Sequence, residues 1–530
     1  MRRWNGWGDD TVEYIISPKA ETMIVNQVGQ GLQQQDIALA DLVAHVPQSR
    51  LPHHHLISFD AADRVRHARG QSLPDLIAMR TGHGLVFPDG VAYPTSADDV
   101  RDLIRFAKQA SIQLIPYGGG TSVVGHVNVL ANSAPSLVVD MSRLSGLVHL
   151  DQMSQLATFE TGISGTDLEN CLRARGYTLG HFPQSFEYST LGGWIATRSK
   201  GQQSIFYGGI EKLFAGGSIE TPLGTMELPA GIASATGPDL REIVLGSEGR
   251  LGIITAATMH ISPLPEYESF QAAFFPDWEH GVAAVREIAQ TRLSLSMVRL
   301  SDAIETQVSL ALPSHQKAIN AIEWVLRQSG IGNAKCMLII GATGSSFARS
   351  ILKQALDLVR RHGGMQLFGG AIGNEWVKSR FRNPYLRNNL WEKGYAVDTV
   401  ETATDWTHVM ETKEKIAAAL KNGLRDIDER VFSFTHLSHV YPTGSSIYTT
   451  YVFRIASDPA ETLRRWQVLK SAASRAMIEM GATISHQHGV GIDHLPYLAN
   501  EKHELGIKAI KNLAKNFDPD GIMNPGKLVD

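Results

Sequence analysis

Three stretches of this 530-residue chain combine residue types able to hold a dinucleotide. The first is Pro116-Tyr117-Gly118-Gly119-Gly120-Thr121-Ser122. Its three glycines allow a tight turn that presents N–H groups, with two hydroxyls, to phosphate oxygens. The chemistry is that of a pyrophosphate cradle. Gly118, Gly120 and Val123 fall on the spaced positions of G-x-G-x-x-G, but the third glycine is missing. A Rossmann loop also opens a helix, whereas the chain after Val123 has no helical periodicity and contains Gly125, Asn128 and Pro135. A flavin-type cradle therefore ranks ahead of a nicotinamide site.

The second stretch, Gln184-Ser185-Phe186-Glu187-Tyr188-Ser189-Thr190 with Thr197-Arg198-Ser199-Lys200 behind it, mixes turn residues, hydroxyls and flat aromatic surface. It suits a loop lying along a polyaromatic ring; a structural turn explains it nearly as well. The third, Glu248-Gly249-Arg250-Leu251-Gly252-Ile253-Ile254, runs from a tight turn into a strand. Glu248 there can accept from ribose hydroxyls or simply face solvent.

The elements that must position these loops are short helices and strands. Ser96 with Asp99 resembles a capping box, and Val100, Leu103, Ile104 and Ala107 predict an amphipathic helix up to Ser111. Strands are predicted at 112–116, 137–140 and 157–160, and a helix at 166–175 ended by Gly176. After Pro265 longer helices are predicted at 279–291, 315–328, 347–362 and 405–424, with strands at 337–340 and 447–455 between them. The last part predicts helices at 461–480 and 500–516 around the Ser485 to Gly491 loop. The expected fold class is α+β: an N-terminal segment 1–86, a cofactor domain 87–265, a cap domain 266–455 that builds the substrate cavity, and a C-terminal segment 456–530 returning to the site.

Composition narrows the function classes. With 43% hydrophobic residues, 19% charged residues and 49 glycines the chain reads as a globular enzyme, and a net charge of −4 gives no footprint for nucleic acid. The two cysteines, Cys171 and Cys336, are too far apart for a thiolate metal cluster and read as buried apolar residues. No metal is expected; three adjacent histidines, His53-His54-His55, cannot all face one ion, and with Arg64 to Arg69 they read as solvated surface. The N-terminal residues lack an apolar signal region, no run is long enough to span a membrane, and the end carries no Ser-Lys-Leu address, so a cytoplasmic location is expected.

Taken together, Trp4-Asn5-Gly6-Trp7-Gly8, Pro116 to Ser122, Pro183 to Gly193, Ser234 to Asp239, Gly246 to Thr255 and His486-Gln487-His488-Gly489-Val490-Gly491 resemble the flavoproteins with the vanillyl-alcohol-oxidase (PCMH) type FAD-binding fold. Within that group the chain is most similar to the alkyldihydroxyacetonephosphate synthases, also called alkylglycerone-phosphate synthases. The resemblance implies noncovalent FAD, held at Pro116 to Ser122 (pyrophosphate), Gln184 to Thr190 and Thr197 to Lys200 (ring and ribityl chain) and Glu248 to Ile254 (adenosine side). It implies catalytic roles for Tyr448, Arg299 and the histidine loop, with Arg387 binding substrate. Its triple histidine is His486-Gln487-His488 here, one imidazole fewer. His486 and His488, as alternate residues of a strand, are expected to share a face near the flavin.

The implied reaction exchanges the acyl group of acyl-dihydroxyacetone phosphate for a fatty alcohol, with a proton leaving C1 and no net redox change. Tyr448 can carry that proton if nearby cations lower its reference pKa of about 10. Arg387 and Arg299 offer donor forks for phosphate or carboxylate. A peripheral membrane contact, inferred from the lipid substrate, and a homodimer are the further expectations. The alternatives are an FAD-dependent D-2-hydroxyacid dehydrogenase of the D-lactate or glycolate type, which the same residues would serve, and a flavin-free binding protein.

Overall fold

The computed structural model describes residues 2–131, 134–311, 316–367 and 370–529. The helix after Ser96 is Ala97–Ala110: the Ser96 hydroxyl accepts the Asp99 N–H at 3.1 Å, and Val100, Leu103, Ile104 and Ala107 are buried along one stripe. It packs on a four-stranded sheet ordered Ile57–Ser58, Gly90–Ala92, Ser136–Asp140, Gln113–Tyr117, in which the last three strands are parallel. The outer strand comes from the segment before residue 87. The chain's end closes the opposite edge, where Leu114 donates to the Ile522 carbonyl and accepts the Asn524 N–H, both at 2.8 Å. The basic run 64–69 is not all surface: Arg64 is buried, donating to the carbonyls of Pro88 and Pro47, because the loops before this sheet leave those groups without strand partners.

A second, antiparallel sheet follows, ordered Leu147–Asp151, Leu156–Glu160, Ile253–His260, Phe214–Thr221, Gly224–Leu228. The two sheets and their helices form the cofactor half. Tyr117 ends its strand and delivers Gly118 to Gly120 against the 184–190 loop. A Cβ on Gly118 would overlap the Thr190 hydroxyl and one on Gly119 the Tyr188 carbonyl; Gly120 has φ +58°. Only glycine lets the two loops touch.

The cap is one antiparallel sheet over residues 267–454. Its order is Met365–Gln366, Tyr267–Phe275, Cys336–Gly344, Met297–Ser301, Phe432–Leu437, Gly444–Arg454, Tyr395–Asp405, with Val440–Tyr441 beside the long Gly444–Arg454 strand. Alternation along the strands decides what each face does. Val298, Leu300, Leu338, Ile340, Leu437 and Phe453 point to one side, into a core shared with helices Trp278–Thr291, Ala348–Arg361, Val409–Asn422 and Pro459–Glu479. Arg299, Ser301, Ile339, Phe434, His436, Tyr448 and Thr450 point to the other side, into a cavity facing the cofactor half. The helix expected at 315–328 is Gln316–Gln328; His315 lies outside the described residues.

Candidate functional site

The cavity between the sheet face and the glycine cradle encloses about 1020 Å³. This is at the top of the roughly 300–1,000 Å³ usual for ligand sites, and the lining reaches from the glycine cradle to the cap sheet. Of the expected cofactor residues, Pro116 to Ser122, Gln184, Ser185, Ser189, Thr190, Thr197, Ser199, Lys200, Glu248, Gly249, Gly252, Ile253 and Ile254 line it. The glycine contacts, the hydroxyls of Thr121, Ser122, Ser189 and Thr190, and the cavity's breadth fit a flavin dinucleotide.

Six other residues expected at the cofactor stand behind that wall. Phe186 is buried, stacked on Phe381 at 5.1 Å, and Glu187 beside it is outside the lining. The Tyr188 hydroxyl meets that of Tyr385 at 2.8 Å. Arg198, in the left-handed region at φ +54°, turns away to Glu242 at 2.9 Å. Arg250 donates to the Met523 carbonyl at 2.6 Å, and Leu251 is core. In each case the turn that presents its neighbours inward sends this side chain outward.

Glu248 has a different task from the expected one. Its carboxylate accepts the N–H groups of Val490 at 2.6 Å and Gly491 at 2.8 Å and lies 3.1 Å from His126 Nε2. From the cap sheet Glu401 reaches the same loop: it accepts Ser485 Oγ at 2.6 Å and the N–H groups of His486, Gln487 and His488 at 2.8 to 3.1 Å. The histidine loop therefore hangs on two buried carboxylates, one from each half of the molecule. Nothing local in the sequence marks Glu401 as the loop's anchor.

The histidine loop is not a strand, and its two imidazoles do not share a face. Wrapping around Glu401 turns His488 and Gln487 toward the cavity and sends His486 away, where its Nε2 lies 2.7 Å from the Tyr441 hydroxyl and its ring packs on His439 at 4.9 Å. The residue at the missing imidazole is thus on the cavity wall, and the Gln487 side-chain oxygen is buried without a hydrogen-bond partner among the described residues.

Electrostatics follow from burial. Desolvation outweighs the pull of Glu401 and lowers His488 below its ordinary value and His486 to about 4, so both rings are neutral at pH 7. Burial works to raise Glu401, but the flanking His488 and His486, once acid protonates them, and the loop's donated hydrogen bonds reverse this and hold it at about 2. The two effects act in one direction. Between pH 6.5 and 4 the unfolded His486 takes up a proton that the folded one refuses, and between 4.5 and 2 the unfolded Glu401 does the same. Stability is expected to fall from pH 7 to pH 4 and further below; an unchanged urea midpoint at pH 4 would contradict these assignments.

Tyr448 corrects another expectation. Its phenol is pushed up to about 12: burial dominates, Glu401 and Asp398 add to it, and Thr399 and Arg387 only partly offset it. It is therefore a protonated donor at neutral pH. Its ring lies flat on His436 at 4.9 Å and 17° and edge-on to His488 at 5.8 Å.

Arg387 lines the same cavity. One guanidinium nitrogen donates to the Gln71 carbonyl at 2.6 Å, while Nε and Nη2 are buried without hydrogen-bond partners among the described residues. Two buried donors on one fork fit a carboxylate or phosphate. The Trp4 to Gly8 start positions it: the Trp7 N–H donates to Asn388 Oδ1 at 3.0 Å, Asn388 Nδ2 returns to the Trp7 carbonyl at 2.9 Å, and Gly8, at φ +81°, leaves no room for a Cβ against Tyr385. Arg299 is already paired with Glu305 at 2.8 Å. Among the cavity residues that escaped sequence reasoning are Glu305 and His436, which carry no local motif, and Arg380, held against the rings of Phe182 and Phe381 at 4.8 Å with Nε and Nη1 lacking hydrogen-bond partners among the described residues.

Comparison with known proteins agrees with this architecture. Family models for an FAD binding domain and for the C-terminal domain of FAD linked oxidases match residues 88–227 and 264–528. Alkyldihydroxyacetonephosphate synthase from Dictyostelium discoideum is 30% identical over 478 residues, covering 89% of this chain and 78% of that protein. A mitochondrial D-lactate dehydrogenase [cytochrome] from Arabidopsis thaliana is 26% identical, with 83% of this chain and 73% of that protein covered. A solved alkyldihydroxyacetonephosphate synthase structure superposes with a TM-score of 0.85 at 26% identity over 99% of both chains. Both halves of the chain match, and the relative from Dictyostelium discoideum is covered over most of its length: the protein belongs to the alkyldihydroxyacetonephosphate synthase family of FAD-linked oxidases.

Proposed function

We propose that this enzyme exchanges the acyl group of acyl-dihydroxyacetone phosphate for a fatty alcohol, releasing a fatty acid and forming an ether. The observation that carries the reading is the joining of two unlike surfaces in one cavity. Beside the polar corner of Arg387 and Tyr448 runs an apolar wall that includes Met23, Ile24, Ile319, Ile322, Phe434 and Val452. A short 2-hydroxy acid has no use for that wall. An alkyl chain gains about 0.8 kcal/mol for each CH₂ buried against it.

Bound FAD supplies an electron-rich ring that can exchange a substituent at carbon without net redox change. The chain's own residues do the rest. Arg387 orients the anion that arrives or leaves, since two donors of its fork are buried without hydrogen-bond partners among the described residues and its charge acts on Tyr448. The Tyr448 hydroxyl, held protonated, donates to a substrate oxygen as charge builds there. The exchanged C–O bond sits on the carbon beside the ketone, so its C–H is the acidic one, and a base must face it.

The test is anaerobic incubation of the purified flavoprotein with acyl-dihydroxyacetone phosphate and a fatty alcohol, and separately with D-2-hydroxy acids. Fatty acid and ether product with the flavin oxidised at the end support exchange; lasting bleaching by a hydroxy acid and no response to the lipid would assign a dehydrogenase. Arg387→Lys keeps the charge and loses the fork. It is expected to raise KM roughly 10- to 100-fold, the equivalent of about 1.5–3 kcal/mol for a charged hydrogen bond, at unchanged flavin content.

A further inference from the structure

Tyr448 is a poor proton acceptor in this site, and the sheet places a better one against its ring. His436 is the direct cross-strand partner of Tyr448 on one side and of Ser301 on the other, so the pleat aims all three side chains at the cavity. Its Nδ1 lies 2.9 Å from Glu305 Oε1 and 3.1 Å from Arg299 Nη2, and Arg299 meets the same Glu305 oxygen at 2.8 Å. A lone pair on Nδ1 would face that carboxylate oxygen directly. A proton there removes the repulsion and makes a charge-assisted hydrogen bond, which leaves the lone pair on Nε2. Glu305, itself buried and lining the cavity, fixes the tautomer as an orienting carboxylate does in a triad.

We propose that His436, oriented by Glu305, which Arg299 holds in place, is the catalytic base that takes the proton from the substrate carbon beside the ketone. This deepens the exchange reading and rests on it. The C–H bond breaks, its proton goes to His436 Nε2, and the electron pair stays on the substrate as an enolate whose oxygen accepts from the Tyr448 hydroxyl. The proton returns from Nε2 to the same carbon after exchange, so nothing is oxidised or reduced in this step. His436 is neutral and available: burial, then Arg299, lower it, with Glu305 opposing. The other ionisable groups around it are Tyr448 on the neighbouring strand, His488 beyond that, and Asp302, which accepts the Thr435 N–H at 3.1 Å and lies 3.6 Å from Lys413.

The experiment follows deuterium entering C1 of acyl-dihydroxyacetone phosphate in D₂O, without alcohol, by mass spectrometry of recovered substrate. The wild type is expected to exchange; His436→Gln should lose at least 100-fold in exchange while keeping its flavin and binding dihydroxyacetone phosphate by calorimetry. Should that variant fold poorly, His436→Ala with added imidazole is the second reading, and recovery of exchange supports a base rather than a structural ring. Glu305→Gln is expected to move the acid limb of the exchange profile to lower pH, because it removes the charge that favours the imidazolium. Exchange retained in His436→Gln and lost in Tyr448→Phe would overturn the proposal and make the tyrosine the base. A wild type that releases fatty acid yet never exchanges C1 hydrogen would sink the proton step alone, whereas one that does neither would remove the exchange function beneath it.

Discussion

Tyr448→Phe is expected to lower fatty-acid release by about 10³-fold with FAD still bound at full stoichiometry, the middle of the range for removing a positioned acid–base group. The structure separates the two halves of that expectation. The phenol is buried in the sheet face between His436 and His488, and among the described residues its ring contacts are to these two and not to the glycine cradle, so its loss is expected to leave the cofactor loops untouched. The ring that remains still fills the stack on His436, so no cavity opens. What disappears is one O–H donor aimed where a substrate oxygen becomes negative. Release and flavin absorbance measured on one preparation check it; wild-type release would show that the hydroxyl is a bystander.

Glu401→Ala is expected to cost about 3–5 kcal/mol of stability and to abolish activity. Removing one member of a buried charged network typically costs that much, because the partners stay behind without compensation. Here the partners are three consecutive backbone N–H groups and the Ser485 hydroxyl. Without the carboxylate these donors lose their acceptor, so they must either remain unsatisfied or pull the loop away from its place. The second outcome displaces His488 and Gln487 from the cavity wall. Glu248 would still hold Val490 and Gly491, so the loop should loosen at one end only. Urea denaturation with flavin fluorescence as a second probe distinguishes the cases; a change in midpoint below 1 kcal/mol would mean the carboxylate contributes little to holding the loop.

These two residues illustrate how differently parts of the site could be read in advance. Tyr448 was reached through resemblance alone, since a tyrosine in a strand carries no mark of chemistry. The condition for it to carry a proton, cations that lower its pKa, is not met, because burial outweighs the pull of Arg387. The partner that corrects the account, His436, sits 131 residues from Glu305 in the chain, and no spacing rule connects them. The expected strand at the histidine loop failed for a related reason. His-x-His alternation suggests a pleat, but in the fold a carboxylate from a distant strand collects the loop's N–H groups and winds it into turns.

The sequence by itself determined whatever depends on a few neighbouring residues. Three glycines before Thr121 and Ser122 specify a backbone that other residues would block; a serine at position 96 and apolar residues at helical spacing specify a capped, half-buried helix; alternation along the cap strands divides core from cavity. The tertiary structure alone decided which charges are buried together. It hung the histidine loop on Glu401 and Glu248, turned His486 away, raised the phenol of Tyr448, left the fork of Arg387 unpaired and joined Arg299, Glu305 and His436. The physical reason is that pKa and hydrogen-bond satisfaction are set by desolvation and by contacts between distant segments, and neither exists until the sheets have closed on one another.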